Sequence, residues 1–457
     1  MLGIVVSRAD EASVTIAEQL RELADWSPDG EDRYRTDGAQ LRYFNELHTE
    51  LDRPAAAFDN PDLLAVASRH SGDTGALLTA HHTGNVGPAE YGGAPNELSR
   101  AAPNAHARVI AALEEFAPPE YEVGTEVTHH GPSTVGAPSL FVELGSGPDH
   151  WTAPAPARAV ARAILTLRGV DPDRPGAEGY RHVVGFGDGH YAPRIERVLA
   201  ETDWAVGHVA ADWALDAITD EALPTVVESV FERSRATRAL VEGTRPAVTE
   251  QIERLGYRAV GERFLRETTG VSLSLVATAE RRLCPVNGGL RFGDPARTAA
   301  DIGVVCRLPE ELLAEARGID RTGTTETVAE AAIAFETDQG GTRPTGLVAL
   351  PAGNESTTDP DALAPGVDPT VYERLLDALL EVLAERYETI DREDGTAIAA
   401  SETFDPERAR TLGISEGPAF GRLAAGEPVE VDGEWIPPEV VHERRERRFP
   451  LAVDPAD

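Results

Sequence analysis

Two spacings of apolar residues alternate through the first 270 positions of this 457-residue chain. The runs LGIVVS (2–7), LLAVAS (63–68), ALLTA (76–80), SLFVELG (139–145), HVVGFG (182–187) and AVGHVAA (205–211) are almost continuously apolar and end at Gly, Asp or His. Such runs predict short strands buried on both faces. Between them apolar residues recur at helical spacing: Val14, Ala17, Leu20 and Leu23 within 10–24, then Val109, Ile110 and Leu113 after Pro103. Further helices are predicted over 155–167, from Pro193, over 220–233 and over 246–255, with a strand at RALVEG (238–243) between the last two. YEVGTEVTH (121–129) reads as one more strand. Repeated strand–helix alternation predicts an α/β fold with a mixed, largely parallel sheet flanked by helices.

Near residue 270 the texture changes. Residues 279–365 are rich in Gly, Thr, Pro and Asp, with a strand at GLVALP (346–351). A helix is predicted over 369–386, where Val371, Leu375, Leu376, Leu379 and Leu380 share a face. The segment at about 410–441 reads as a small β-rich module. The expected division is a catalytic domain at 1–270 and a smaller α+β C-terminal region at 271–457, to which the sequence assigns no role.

Composition changes the picture of the surroundings. There are 78 acidic against 42 basic residues, a formal charge of −36, and every basic residue is arginine. A lysine-free acidic chain suits a very salty cytoplasm, where the Debye length falls to about 3 Å at 1 M salt. Acidity ordinarily argues against a nucleic-acid partner. In molar salt counterion-release binding is largely lost to any protein, so shape and a few placed arginines would carry RNA recognition. Cys284 and Cys306 are the only cysteines, which excludes a disulfide framework and a cysteine-rich zinc site. No window reaches the roughly 18 apolar residues of a membrane span, and the expected location is cytoplasmic. The oligomeric state, monomer or homodimer, stays open.

Candidate chemistry gathers in the first half. Eleven of the 12 histidines lie at or before His208, and several stand where a predicted strand ends: His70, His81, His129, His130 and His190. Open α/β sheets bind ligands beyond the carboxyl ends of their strands. Imidazole is both a common metal ligand and an acid/base group near neutral pH. Adjacent residues of a strand face opposite ways, so His129 and His130 share one metal only if the turn at Gly131-Pro132 has already begun. Glu143, on the Phe141 face of an apolar strand, must be paired, protonated or metal-bound. There is no HExxH helix. GFGDGHYAPR (185–194) puts His190 where a dinucleotide-binding G-x-G-x-x-G needs its last glycine, which leaves a Gly-rich turn whose backbone, with Arg194, could hold a phosphate.

ASRHSG (67–72), TAHHTGNVGPAEYGG (79–93), THHGPSTVGAPSLFVELGS (128–146), Trp151, GDGHYAPR (187–194) and VGHVAADWA (206–214) together resemble the archaeal and plant type of D-aminoacyl-tRNA deacylase. The resemblance runs in the same order to about residue 265. It implies a fold like peptidyl-tRNA hydrolase and nucleoside phosphorylase, a zinc cofactor, a tRNA partner, and hydrolysis of the ester between a D-amino acid and tRNA. Zinc lowers the pKa of a bound water towards about 7, as ester hydrolysis requires. The site residues it implies are His81, His129, His130 and His190 around the metal or water, with His129, His130, Glu143 and His190 catalytic. Arg8, Arg69, His70, Asn85, Tyr191 and Arg194 would bind substrate. The chain departs from the family pattern at Asp188, which replaces a glycine, and at Arg8 and Arg194, which replace lysines. Segment 412–441 is similar to the terminal part of tRNA 3′-processing endonucleases of the metallo-β-lactamase type, without the HxHxDH motif of their catalysis. Two rival readings predict other behaviour: a hydrolase or phosphorylase of small nucleosides or peptides, and a tRNA-end binding protein without turnover.

Overall fold

The computed structural model describes residues 1–176, 179–353, 362–431 and 433–455, which leaves out 354–361 of the Gly/Thr-rich stretch and residue 432 of the C-terminal module. The chain forms two compact units, Met1–Gly270 and Val271–Asp457.

The first unit is built on two sheets. The larger contains β1 (Leu2–Ser7), β2 (Ser27–Pro28), β3 (Arg33–Thr36), β4 (Ala39–Phe44), β5 (Leu63–Arg69), β6 (Leu77–His82), β7 (Glu122–Thr125) and β8 (Ser139–Gly145), in the order β2-β3-β4-β1-β5-β8-β6-β7. Its centre, β4-β1-β5-β8, is parallel, while β6 runs antiparallel to β8. Period-two alternation splits this sheet into two unlike faces. Ile4, Val6, Ala65, Ala67, Leu78, Leu140, Val142 and Leu144 pack under α1 (Glu11–Leu23), α2 (Pro103–Phe116) and, beyond the one-turn α3 (Pro148–Trp151), α4 (Pro154–Leu165). The opposite face carries a smaller apolar patch of Val5, Leu64, Val66 and Phe141, and beside it the buried polar residues Ser68, Thr79, His81 and Glu143.

After a two-residue pair, β9 (Pro175–Gly176) and β10 (Gly179–Tyr180), the second sheet is wholly parallel: β11 (His182–Asp188), β12 (Ala205–Ala211), β13 (Arg238–Val241) and β14 (Arg258–Val260), ordered β12-β11-β13-β14. Its connections are α5 (Pro193–Glu201), α6 (Asp212–Asp216), α7 (Leu223–Ser234) and α8 (Pro246–Arg254), and α9 (Glu262–Glu267) follows. Pro103, Pro154, Pro193 and Pro246 each stand at the first turn of their helix, where a missing N–H costs nothing.

Two expectations are corrected, and one element is added. The strand predicted over 121–129 ends at Thr125, because the chain there leaves the first sheet for the second: Val127 N–H donates to His190 O and Thr128 N–H to Val209 O. The α1 stripe is centred on Ile16, Ala17 and Leu20, with Val14 and Leu23 only half-buried. The β3–β4 hairpin was unforeseen, although its Asp37-Gly38 turn, with Gly38 at φ +73°, is a strong hairpin signal.

The second unit has a five-stranded antiparallel sheet, Leu290–Phe292, Ala334–Asp338, Arg343–Leu350, Val304–Arg307 and Asp454–Pro455 in spatial order. Helix Pro369–Ala384 buries Leu375, Leu376, Leu379 and Leu383 in its core. A three-stranded sheet joins Thr389–Glu393, Thr396–Phe404 and His442–Pro450. Among the described residues, the module expected to be β-rich holds one strand pair, Val429–Val431 with Glu434–Ile436, beside two short helices. Those helices start where Asp405 caps a Pro406 first turn and where Gly417 precedes Pro418. Among the described residues, no helix is long and apolar enough to cross a membrane.

Candidate active site

Four strand ends and one crossover segment meet over the polar face of the larger sheet. His81 and Glu143 project from β6 and β8, where the register sets His81 opposite Phe141 and Thr79 opposite Glu143. His70 follows β5, and His190 and Tyr191 follow β11. Glu126, His129 and His130 lie on the segment that passes between the sheets. Because that segment is no longer extended, the two neighbouring imidazoles turn to the same side, with ring centres 4.4 Å apart. Gly131 makes this possible: it sits at φ +110°, and a Cβ there would stand 2.6 Å from the Phe141 ring.

Ring nitrogens of His81, His129 and His130 fall within 4.8 Å of one another, and so do ligand atoms of His70, Glu126 and His190. The sequence had grouped His190 with the first three. Here its Nε2 lies 3.0 Å from Glu126 Oε2, and Glu126 also faces His129 Nε2 at 3.6 Å and His70 Nε2 at 3.7 Å. Glu143 Oε1 lies 3.5 Å from His81 Nε2 and 3.7 Å from His130 Nε2. His81 Nε2, His130 Nδ1 and Glu143 Oε1 are buried without a hydrogen-bond partner among the described residues. Buried polar atoms left so are costly unless a further group completes them.

Burial and mutual charge divide the two carboxylates. Burial lifts Glu143 to about 7, against the pull of His81. Burial acts on Glu126 too, but there the His190 hydrogen bond and the surrounding imidazoles prevail and hold it below the usual carboxylate range. Burial lowers His129 to about 3 and pushes His130 well down. On His81 burial is outweighed by Glu143 and Glu126, and its pKa rises. One carboxylate stays ionised while its neighbour is poised to take a proton, the separation expected of acid/base groups.

The supports are aromatic and histidine-rich. Phe141 stacks on His81 at 5.0 Å and meets His130 edge-on at 4.9 Å. His70 Nδ1 bonds Ser146 Oγ at 2.8 Å, and its Nε2 meets Tyr191 Oη at 3.0 Å. On the other face of β6, His82 joins His106 and His208 in a fully buried group. His208 links Thr128 Oγ1 at 3.0 Å to Ser99 O at 2.9 Å and so ties the crossover segment down.

Other residues singled out from the sequence lie apart or are otherwise engaged. Arg8 pairs with Asp32 at 2.5 Å on the surface. Arg194 is held by Glu262 at 3.0 Å and Glu242 at 2.6 Å, beside the buried Asp188, an arrangement unsuited to a phosphate. Asn85 spends its Nδ2 on Gly92 O at 2.8 Å, pinning the 84–98 loop. Arg69, next to His70, lies over the Trp151 ring at 5.2 Å and makes no ion pair among the described residues. Glu126 was missed. It lay inside the strand read over 121–129, and its signal was its position three and four residues before the histidine pair.

The sequence profile of D-aminoacyl-tRNA deacylase matches residues 57–260. A D-aminoacyl-tRNA deacylase of Natronomonas pharaonis is 51% identical over 98% of this chain and 100% of its own length. The chain belongs to the D-aminoacyl-tRNA deacylase family. Another deacylase of that name, from Haloarcula marismortui, is 48% identical over 99% of this chain and 100% of its own length. The crystal structure of a conserved protein of unknown function matches 59% of this chain and 98% of its own with a TM-score of 0.52 and 29% identity. These full-length deacylases therefore also match Val271–Asp457, which the motif resemblance had left outside.

Proposed function

We propose that the chain hydrolyses the ester joining a D-amino acid to the terminal ribose of tRNA, releasing the free amino acid and the tRNA. Family membership supports the reaction. The observation that carries the assignment to this site is the convergence of His81, His129 and His130 beside two buried carboxylates whose proton affinities are pushed in opposite directions. The three imidazole nitrogens and the unpartnered buried atoms fit a zinc ion, which His81, His129 and His130 would hold. When bound, zinc supplies a Lewis acid that activates water and polarises a carbonyl.

The chain's own groups divide the remaining work. Glu143 Oε1, buried and unpartnered between His81 and His130, accepts a proton from the attacking water. The carbonyl carbon gains the water oxygen, the ester C–O bond breaks, and the proton held by Glu143 returns to the departing ribose oxygen. Ionised Glu126 orients His129 and His190. His190, the most exposed imidazole of the cluster at 38%, meets the incoming ester. Arg69 and Tyr191 lie beside the same entrance through His70.

The test is deacylation of D-Tyr-tRNA and L-Tyr-tRNA in molar KCl, with and without a chelator. D-specific, chelator-sensitive turnover is expected. Glu143→Gln keeps the side-chain shape and is expected to lose about 10²- to 10⁴-fold in kcat. Full activity in that variant removes Glu143 as the base, and no turnover of either ester by the unaltered protein removes the reaction.

A further inference from the structure

A cleft of about 1100 Å³ opens behind the catalytic segment, and none of the clustered histidines lines it. It lies at the amino ends of β1, β5 and β8, near Leu2, Leu63 and Pro138, and continues to Thr225, Ser229 and Arg233 of α7. One wall is Ser133–Ala137, in direct continuation of His129-His130-Gly131-Pro132. Ser133 is three residues from His130, so at most about 11 Å of chain separates the two. The opposite wall, Asn96–Arg100, is fastened to the same segment, since Ser99 Oγ donates to Pro132 O at 2.9 Å and Ser133 O at 2.8 Å.

Three guanidinium groups, Arg100, Arg233 and Arg235, line the cleft beside the carboxylates of Asp62, Glu97, Asp171 and Asp173. Arg100 and Arg235 both bond one oxygen of the buried Asp173, at 2.5 and 2.8 Å, so two cations share a single carboxylate. Among the described residues, the other oxygen of Asp173 and Oδ1 of Asn96 have no hydrogen-bond partner. Arg233 is exposed and makes no ion pair among the described residues. Planar guanidinium groups stack on bases, and free carbonyl or carboxylate oxygens accept from exocyclic amines. Both interactions persist in molar salt, where simple attraction to phosphate is screened.

We propose that this cleft binds the single-stranded RNA nucleotides preceding the esterified one, with preference for bases that carry an exocyclic amine. The inference rests on the deacylase reading of the histidine site. It makes the 129–138 segment a partition, with the ester on one side and the preceding nucleotides on the other.

Two variants test it, Arg233→Gln and the cleft-filling Ser229→Trp, neither of which touches the histidine cluster. Each is assayed on charged full-length tRNA and on D-tyrosyl-adenosine, which has no preceding nucleotide. The expected result is a KM for charged tRNA raised about tenfold or more, with unchanged turnover of the small ester. Equal effects on both substrates, or no effect on either, overturn the proposal. Affinity for uncharged tRNA in molar KCl is measured alongside. If the unaltered protein cleaves neither ester, the deacylase reading fails. Weaker uncharged-tRNA binding by both variants then still supports the cleft, and unchanged binding overturns it.

Discussion

His81 and His82 are chemically identical and one bond apart, yet they belong to different parts of the molecule. His81 faces the carboxylates, while His82 accepts Ala102 N–H and contacts Val206 O from inside the core. The buried partners of His82 set an acid limit on stability. Burial holds both His106 and His208 at about 4, below the ordinary imidazole value near 6.5. As pH falls, the unfolded chain takes these protons first. Stability is therefore intact above about 6.5, declines towards 4 and is not further eroded by these groups below it. Each accounts for on the order of 3 kcal/mol across that window. Denaturant melts of His106→Gln should show a shallower loss between those limits than the unaltered protein, and an unchanged slope would show that His106 titrates normally.

At the scale of elements, the site depends on where strands stop. Gly131→Ala would force a side chain into positive φ and against the Phe141 ring, which supports both His81 and His130. A stability loss of about 1–3 kcal/mol is expected, with a fall in kcat at temperatures where the variant is fully folded. Native activity would show that Phe141 does not set the histidine geometry. The same junction marks what the sequence made legible. The buried strands β1, β5, β8, β11 and β12 and the helices after Pro103 and Pro193 followed from apolar runs and prolines, because those signals are local. Histidines at strand ends were legible for the same reason. Glu126 was not, since its importance arises from a backbone hydrogen bond of its neighbour, Val127 N–H to the carbonyl of His190 63 positions later, which pulls the chain out of its strand. Nor were the engagements of Arg8 and Arg194, whose carboxylate partners come from distant elements.

Over the whole molecule, charge sets the working conditions. With 78 carboxylates against 42 guanidinium groups, self-repulsion is long-ranged in dilute salt and confined to about 3 Å at 1 M. The thermal midpoint should rise steadily as KCl increases from about 0.1 M to molar concentrations. A flat response would mean that local ion pairs already balance the surface.

The crossover of Glu126–His130 has a consequence for how the enzyme fails. Its backbone is anchored to the larger sheet through Ala80 O and to the smaller one through His190 O and Val209 O, so the site is a clasp between two bodies rather than a property of either. Loosening the smaller sheet opens the clasp while the helix-covered core of the larger one stays intact. Turnover should accordingly vanish at a lower denaturant concentration than the far-ultraviolet circular dichroism signal, making activity the earliest gauge of damage to this protein.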